Sequence, residues 1–298
     1  MRPQRSRDLR HPLADDPVVE RVDVSRLSPV GRRPNLGSYV RQLWGRRYFI
    51  WVDSRARAFA GNKDTLLGRF WLVGRPILDG VTYFLVFGVL LNASRGVENY
   101  IGFLLVGVFM FSFSSRALTG GAGAMSGGRN FVRAFSFPRA SIPLALMLRE
   151  TIAMFPVVLT MFAMVLLIPP HATLSWYWLL FPAVFALQTL FNTGLTLYAA
   201  RFASAVPDIR LVLGFFARFW MYGSGVMYSI DRWVEHPTVL AAMQVNPAYC
   251  VLEITRDLLL YARMPDMSLW LTLAAWAVVT PLFGFLYFWH GEEEYGRE

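Results

Sequence analysis

The chain of 298 residues is 55% hydrophobic and carries a net charge of +9, with only 16% charged residues, against about 25% in soluble domains. Its mean hydropathy of +0.40 indicates a polytopic membrane protein and excludes an ordinary soluble domain. Nucleic-acid binding requires a basic face on a water-exposed domain, and no such domain remains outside the apolar segments, so the positive charge is expected to orient the chain in the membrane.

The N-terminal region divides into a polar tail and an amphipathic helix. Residues 1–37 are rich in Arg, Pro and Asp, which predicts a disordered cytoplasmic tail without a signal peptide. Between residues 38 and 62, tryptophan and tyrosine recur on one helix face and arginine on the other. This pattern predicts a helix lying in the plane of the membrane surface. Phe49 and Ile50 interrupt the pattern, so one end of the helix is expected to tuck under a neighbouring span.

Six apolar segments follow, each near the ~20 residues that a transmembrane helix needs. They lie at about 70–92, 100–118, 141–168, 174–199, 211–228 and 268–289. The sequence therefore predicts an all-α membrane domain of six spans within residues 63–298.

The distribution of arginine predicts that both termini are cytoplasmic. With that orientation, most basic residues fall in the inner segments 1–69, 116–149, 201–218 and 290–298. The outer segments hold only four basic residues, which are Arg95, Arg232, Arg256 and Arg263.

The region between the last two spans contains two short helical segments, at about 238–244 and 248–262. Asn246-Pro247 separates them, and neither is long enough to cross a bilayer. The second segment carries three charged residues, which are Glu253, Arg256 and Asp257. Half-inserted or surface helices are therefore predicted here.

The loop between the second and third spans alternates basic and aromatic residues and ends at a proline. It reads Arg129-Asn130-Phe131-Val132-Arg133-Ala134-Phe135-Ser136-Phe137-Pro138-Arg139. A short basic segment of this kind suits docking onto another protein at the membrane surface. The alternative is a loop whose arginines lie among lipid phosphates.

Ionisable side chains at membrane depth usually face a bundle interior or a water-filled path. Arg75 and Asp79 are spaced i, i+4 on the first span and are positioned to pair. Arg149 and Glu150 are adjacent in the third span, where side chains point about 100° apart. We therefore expect partners on other helices for both. For each of these charges, a structural role and a functional role remain open.

Two spans carry stripes of side chains at helical spacing. The fourth span has a polar stripe for interhelical hydrogen bonds, formed by Gln188, Asn192 and Thr196. The fifth span has an aromatic stripe, formed by Phe215, Arg218, Phe219 and Tyr222. Packing is one explanation of the aromatic stripe. Lining of a channel is the other, because flat aromatic faces offer stacking area to a sliding carbohydrate chain.

No pattern typical of catalysis or metal binding occurs in the sequence. The four histidines lack metal-ligand spacing. The glycine-rich run at 120–128 lacks the Gly-Lys-Ser/Thr ending of a phosphate-binding loop, and its small residues are expected to allow close helix packing. Cys250 is the single cysteine, which excludes an intrachain disulfide. We therefore expect no catalytic residue, metal or cofactor in this chain.

Five groups of residues occur in a characteristic order. They are Leu67-Gly68-Arg69-Phe70-Trp71 with Pro76 and Phe87-Gly88, then Asn130 to Arg139 with Ile142-Pro143-Leu144, then Asp208-Ile209, Ser224 to Tyr228, and Asn246-Pro247. This ordered set resembles the membrane subunit of ABC-2 type exporters, in the branch that moves lipid-linked polysaccharides such as O-antigen, teichoic acid and mycobacterial galactan. The resemblance covers about residues 38–290.

The chain departs from that family at two positions. It has Pro207-Asp208 where the family usually has Arg-Asp, and Ser224-Gly225 where the family usually has Ser-Pro. The first departure concerns the contact of the second cytoplasmic loop with its partner. The second suggests a looser bend at the outer end of the fifth span.

The resemblance implies a non-catalytic transport subunit that forms a homodimer in the bacterial plasma membrane. It implies six spans, an interfacial helix at 38–62, a coupling helix at about 129–139 and two external gate helices at about 238–262. The gate residues would be Asn246, Pro247, Glu253, Arg256 and Asp257. Two copies of a separate ATPase would bind ATP and Mg. Residues implied at that contact are Arg129, Asn130, Phe131, Arg133, Phe135, Phe137, Pro138, Arg139 and Asp208.

The implied substrate is a polyprenyl-pyrophosphate-linked polysaccharide, for which cell-wall galactan is one candidate. Arginines at the inner surface would receive the pyrophosphate or contact lipid head groups. They are Arg46, Arg47, Arg55, Arg57 and Arg69. Two alternatives stay open: an exporter of a drug or small lipid, and a membrane transferase, which would require a convergent acid/base or metal constellation.

Overall fold

The computed structural model describes most of the chain, and in the part that it describes the regular secondary structure is entirely helical. The described residues are 34–58, 71–83, 85–86, 90, 97, 99–127, 138–230 and 236–296. They form ten α-helices, which are α1 (Leu36–Gly45), α2 (Arg47–Ala58), α3 (Trp71–Tyr83), α4 (Tyr100–Gly127), α5 (Ser141–Leu167), α6 (Phe181–Ala205), α7 (Ile209–Tyr222), α8 (Pro237–Gln244), α9 (Pro247–Leu259) and α10 (Met267–His290). The predicted all-α class is confirmed for these residues.

Four helices in the described ranges are long and apolar enough to cross a membrane. They are α4, α5, α10, and α6 together with the short helical turn Trp176–Leu180 that precedes it. They correspond to the second, third, fourth and sixth predicted spans. In the first predicted span the structure describes the 13 residues of α3, and its continuation lies largely outside the described residues.

The fifth predicted span differs from its expected bounds. α7 has 14 residues and ends at Tyr222, although the apolar pattern continues to residue 228. At ~1.5 Å per residue it is about 21 Å long, which is less than the ~30 Å thickness of a bilayer core. The chain turns at Gly223–Gly225 because Gly225 adopts a φ of +64°, a backbone conformation that ends a right-handed helix.

The N-terminal amphipathic region consists of two helices, α1 and α2, instead of one, and Arg46 lies at the break. Their buried face contains Tyr39, Ile50 and Ser54, and the Ser54 hydroxyl donates a hydrogen bond to the Ala145 carbonyl of α5 at 2.8 Å. The predicted tryptophan and tyrosine face is instead exposed. These aromatic side chains are therefore available for contact with the membrane surface, as an interfacial helix requires.

Close backbone contacts at glycines join the long helices. A Cβ added to Gly194 of α6 would lie 2.4 Å from the Thr280 carbonyl carbon of α10, so the two backbones touch where α6 and α10 cross. Gly121 of α4 makes a similar contact with α6, because its Cβ would lie 2.8 Å from the Thr196 carbonyl oxygen. Small residues commonly allow such approaches between membrane helices.

The polar stripe of α6 forms the expected interhelical hydrogen bonds at two of its three positions. Gln188 Nε2 donates to the Met110 carbonyl of α4 at 2.8 Å, and Thr196 Oγ1 donates to the Ala117 carbonyl at 3.1 Å. Asn192 between them is fully buried, and its amide makes no hydrogen bond within the described part of the chain.

Candidate functional site

The predicted site residues lie at the two ends of the helix bundle and on the exposed face of α7. We call the end where α4 finishes and α5 begins the α4–α5 end. The other end, where α4 starts and α7 finishes, is called the opposite end. Among the residues that the structure describes, no group of three His, Cys, Asp or Glu side chains is placed to hold a metal ion.

A buried carboxylate ties three remote parts of the chain together at the α4–α5 end. The Tyr39 hydroxyl of α1 donates to Glu292 Oε2 at 2.8 Å, and the Arg139 backbone N–H donates to Glu292 Oε1 at 3.0 Å. The Ala140 N–H donates to the Tyr39 hydroxyl at 3.0 Å, and the Arg139 guanidinium donates to the Glu292 carbonyl. We call Tyr39, Arg139, Ala140 and Glu292 the Glu292 clasp.

Burial controls the electrostatics of the Glu292 clasp. Removal from water raises the pKa of Glu292, and the hydrogen bonds from Arg139 and Tyr39 oppose that rise. Burial also raises the pKa of Tyr39, and the neighbouring charge of Glu292 adds to the effect. Tyr39 therefore remains a neutral hydrogen-bond donor, and the clasp holds α1 and the start of α5 against the C-terminal turn.

Most of the predicted ATPase contact lies outside the described residues. This applies to Arg129, Asn130, Phe131, Arg133, Phe135 and Phe137. The two ends of the segment are described. α4 ends at Gly127, Pro138 is buried, and Arg139 belongs to the Glu292 clasp. Asp208 is exposed immediately before α7.

The inner-surface arginines have separate neighbours in the structure. Arg46, Arg47 and Arg55 are exposed on α1–α2, and the Arg47 guanidinium stacks on the Trp44 ring at 5.2 Å. Arg57 forms an ion pair with Asp53 at 2.8 Å. Arg69 lies outside the described residues. The structure thus places four of these arginines along one pair of helices.

The charges of α5 correct one sequence prediction. The sequence predicts a partner on another helix for Arg149, but its guanidinium pairs with the adjacent Glu150 at 3.0 Å. Successive side chains leave a helix about 100° apart, but the long Arg149 side chain bends back along α5 and reaches Glu150. Glu150 also pairs with Arg116 of α4 at 3.2 Å, a residue that the sequence did not single out. Asp79 is exposed on α3, and the Arg75 side chain lies outside the description.

The aromatic stripe occupies a face of α7 that is exposed among the residues the structure describes. Phe215, Phe219 and Tyr222 are 59%, 74% and 52% exposed, and the Arg218 guanidinium lies 5.6 Å from the centre of the Phe215 ring. Trp220, on the other side of α7, packs edge-on against Phe111 of α4. The helix is therefore anchored by one face and presents arginine and aromatic rings on the other.

A fully buried arginine organises the opposite end. The Arg256 guanidinium of α9 donates to the Gly225 carbonyl at 2.9 Å and the Val226 carbonyl at 3.1 Å. It pairs with Glu253 at 2.7 Å and lies 3.3 Å from the centre of the Phe103 ring of α4. We call these five residues the Arg256 lock. Because Arg256 and most of its helix are buried, the surface alternative predicted for this segment is wrong, and half-insertion stays a prediction.

Glycines make the Arg256 lock possible. A Cβ on Gly107 of α4 would lie 2.4 Å from the Val226 carbonyl oxygen, so only glycine admits the turn there. Gly225 has a positive φ that proline cannot adopt. The departure from the family pattern at Ser224-Gly225 therefore forms a tight, bonded turn, and the expectation of a looser bend is wrong.

Asn246 connects α7 to α9 beside the lock. Its side-chain oxygen accepts hydrogen bonds from Trp220 Nε1 at 2.9 Å and from the Ala248 N–H at 3.1 Å, which caps α9. Its amide nitrogen donates to Ser224 Oγ at 2.9 Å. Pro247 occupies the first position of α9, where its missing N–H leaves no unpaired donor.

Comparison with known proteins identifies a family and relatives of one kind. The ABC-2 type transporter family model matches residues 56–260. The O-antigen export system permease protein RfbA of Myxococcus xanthus is 23% identical over 241 residues, covering 80% of this chain and 91% of that protein. A protein of the same name from Klebsiella pneumoniae is 21% identical over 196 residues, covering 66% and 74%.

Replacement of Arg256 by methionine is expected to destabilise the protein by roughly 3–5 kcal/mol, because two buried carbonyls would lose their donor and the partly buried Glu253 its partner. Arg256→Lys keeps the charge but loses the planar fork that reaches two carbonyls, so an intermediate loss is expected. Thermal unfolding in detergent measures both. Arg41→Met, at an exposed arginine of α1, should leave the midpoint unchanged. Wild-type stability of Arg256→Met would contradict the lock.

The Glu292 clasp predicts a pH-dependent difference between the wild type and Glu292→Gln. The folded-state pKa of Glu292 is raised, so the folded protein holds the proton more tightly than the unfolded chain does. Its stabilising contribution is therefore full below the unfolded pKa of about 4.3 and declines as pH rises through the folded pKa.

Unfolding midpoints measured from pH 4.5 to pH 7 should show the wild type losing stability relative to Glu292→Gln as the pH rises. Gln42→Ala, at an exposed uncharged residue of α1, should follow the wild type across this range. A constant difference between wild type and Glu292→Gln across this range would refute the assignment.

Proposed function

Because the chain belongs to the ABC-2 type transporter family, we propose that it is the transmembrane subunit of an ATP-driven exporter of lipid-linked polysaccharide. Family membership makes it a transport subunit of the membrane rather than a transferase. The observation that carries the choice of substrate is its similarity, over most of its length, to permease proteins of O-antigen export. Cell-wall galactan is one polymer of this class.

Energy for export comes from a separate ATPase, which binds ATP and Mg. Two copies of it contact the coupling segment at 129–139 in this proposal, with Phe131, Phe135 and Phe137 as apolar anchors and the arginines as steering charges. Asp208 lies at the second contact. The Glu292 clasp supports this assignment, because it fixes the end of the segment to α1 and to the C-terminal turn.

The conduit lies between two copies of the chain. In this proposal the first span continues beyond α3, and α7 together with the turn that follows it forms the fifth of six spans in each copy. Both termini lie on the cytoplasmic side of the bacterial plasma membrane. The uncovered aromatic face of α7 supports this arrangement, since Phe215, Phe219 and Tyr222 offer stacking area to successive sugars without requiring one register of hydrogen bonds. α8 and α9 form an external gate, held to α7 through Asn246 and the Arg256 lock.

The pyrophosphate of the lipid carrier first meets arginines at the inner surface. Arg46, Arg47 and Arg55 are exposed on the helices α1 and α2, and Arg57 and Arg69 complete the set. Guanidinium groups bind phosphate oxygens through two parallel hydrogen bonds, which favours arginine over lysine at such a site.

Phe135→Asp is expected to abolish association with the ATPase, because a charge replaces an apolar anchor in a desolvated contact. The measurement is copurification of the tagged chain with its ATPase in detergent. Tyr48→Asp, an equivalent change at an exposed aromatic residue of α2, should leave association intact. Undiminished copurification of Phe135→Asp would remove this segment from the ATPase contact.

The double change Phe219→Ala and Tyr222→Ala is expected to reduce surface polysaccharide in cells whose own copy of the gene is deleted. Loss of two stacking faces, each contributing about 1 kcal/mol, weakens the passage of sugars. Phe216→Ala provides a matched control, because Phe216 lies on the same helix outside the stripe and is also exposed. A normal amount of surface polysaccharide in the double variant, at a normal protein level, would show that the stripe serves helix packing and does not line the conduit.

A further inference from the structure

The C-terminal turn, residues 291–296, contacts three parts of the chain that are far apart in sequence. Glu292 within it belongs to the Glu292 clasp, which holds α1 and the start of α5. The other side of the turn reaches the end of α6 through contacts that are not part of the clasp. The turn therefore joins the start of α5 to the end of α6.

Arg201 makes the contact between α6 and the C-terminal turn. Its guanidinium pairs with the Glu294 carboxylate at 2.8 Å and lies 5.4 Å from the centre of the Tyr295 ring. The ring of Tyr287 in α10 is centred 5.7 Å from the same guanidinium. An ion pair with an exposed carboxylate contributes little by itself, but Arg201 is buried and the two aromatic rings add cation–π attraction. Several groups together therefore fix Arg201 to the turn.

The C-terminal turn is packed closely enough to transmit a displacement. A Cβ added to Gly291 would overlap the Arg201 guanidinium, so this arginine lies directly on the backbone of the turn. The Tyr295 hydroxyl donates to the Phe288 carbonyl of α10 at 3.1 Å, and the two rings stack with their centres 4.7 Å apart. Closely packed groups transmit strain because they compress little.

The end of α6 continues directly into the loop that carries Asp208. α6 ends at Ala205 and α7 begins at Ile209, so the loop between them is short. Within it, the Ile209 N–H donates to the Val206 carbonyl at 3.1 Å. A displacement of Arg201 therefore reaches Asp208 through a short, hydrogen-bonded stretch of backbone.

The C-terminal turn gives a shorter connection between two loops than the chain itself does. Along the chain, Arg139 and Asp208 are separated by the whole of α5 and α6. Across the turn, Glu292 accepts from the Arg139 N–H, and Glu294, two residues further on, pairs with Arg201. A change at one loop therefore reaches the other without passing along the membrane helices.

We propose that the C-terminal turn is a mechanical link between the two loops that contact the ATPase, so that Arg139 and Asp208 move together. The link consists of Glu292 on one side and Arg201 on the other. This inference rests on the proposed function for the identity of the partner. It goes beyond that function because it gives residues 291–296 a role in coupling, in which an ATPase that displaces one loop also displaces the other.

Hydrogen–deuterium exchange of the full-length chain in detergent, without the ATPase, tests the link. Mass spectrometry with electron-transfer fragmentation resolves single amides. Arg201→Gln detaches α6 from the turn and is expected to speed exchange of the Arg139 and Ala140 amides about fivefold, the effect of losing one typical hydrogen bond. These amides donate to Glu292 and Tyr39, so a purely local role of Arg201 would leave their exchange unchanged.

The reciprocal variant is Tyr39→Phe, which keeps the ring and removes the hydroxyl that belongs to the Glu292 clasp. It is expected to speed exchange of the Ile209 and Leu211 amides, which bond to carbonyls of the loop before α7, by a similar factor. If Arg201→Gln does not fold, Tyr39→Phe decides alone.

Two control variants and an internal reference complete the experiment. Arg41→Gln and Tyr48→Phe repeat the two changes at exposed positions of α1 and α2, and should leave exchange at both loops unchanged. The amides of Ile254 and Thr255, buried in α9 at the opposite end, report on global unfolding and should also be unchanged.

Three results would overturn the link. They are acceleration confined to the mutated side in either variant, an equal acceleration in α9, and an equal acceleration in the controls. Because export and ATPase copurification are not readouts, any of these results leaves the proposed function standing. Failure of the chain to bind the ATPase would instead contradict the proposed function and leave the measured link between the loops intact.

Discussion

The Arg256 guanidinium and the carbonyls of the turn after α7 lie where water does not reach. They therefore have to form their hydrogen bonds with each other. An unpaired polar group in such surroundings costs several kcal/mol, so the surrounding sequence is constrained by this one side chain. Glu253 balances its charge, and Phe103 covers it. Gly107 makes room for the turn, and Gly225 supplies its left-handed backbone. The helix α7 ends at Tyr222, and the Gly225 and Val226 carbonyls that follow accept hydrogen bonds from Arg256.

The Glu292 clasp obeys the same constraint at the other end of the bundle. There a carboxylate accepts from the Tyr39 hydroxyl and the Arg139 N–H, so α1, the start of α5 and the C-terminal turn are held at one point. Between the two ends, glycine contacts join α4, α6 and α10. A transporter of this design holds its helices firmly at both ends. Movement of the segment before Arg139 would therefore reach α1 through the clasp.

The surfaces that the chain leaves incomplete agree with the proposed assembly. The aromatic face of α7 has no cover within the described residues, and neither do Trp44, Tyr48 and Trp51 of α1 and α2. A second copy and the lipid interface are the partners that these surfaces suit. The exposed apolar area of α7 suits the second copy, and the exposed amphipathic area of α1 and α2 suits the lipid interface.

The sequence by itself determined the helical class, four of the long spans, the break at Asn246-Pro247 and the membership of the family, because apolar length, periodicity and motif order are local properties of the chain. Only the tertiary structure decided that Arg256 is buried and that Glu292 holds Tyr39, since the latter bond joins residues 253 positions apart. It also separated Gly121, which packs, from Gly123, which borders open space. Neighbouring glycines look alike in a sequence, and what lies beside each one depends on helices that arrive from elsewhere in the chain.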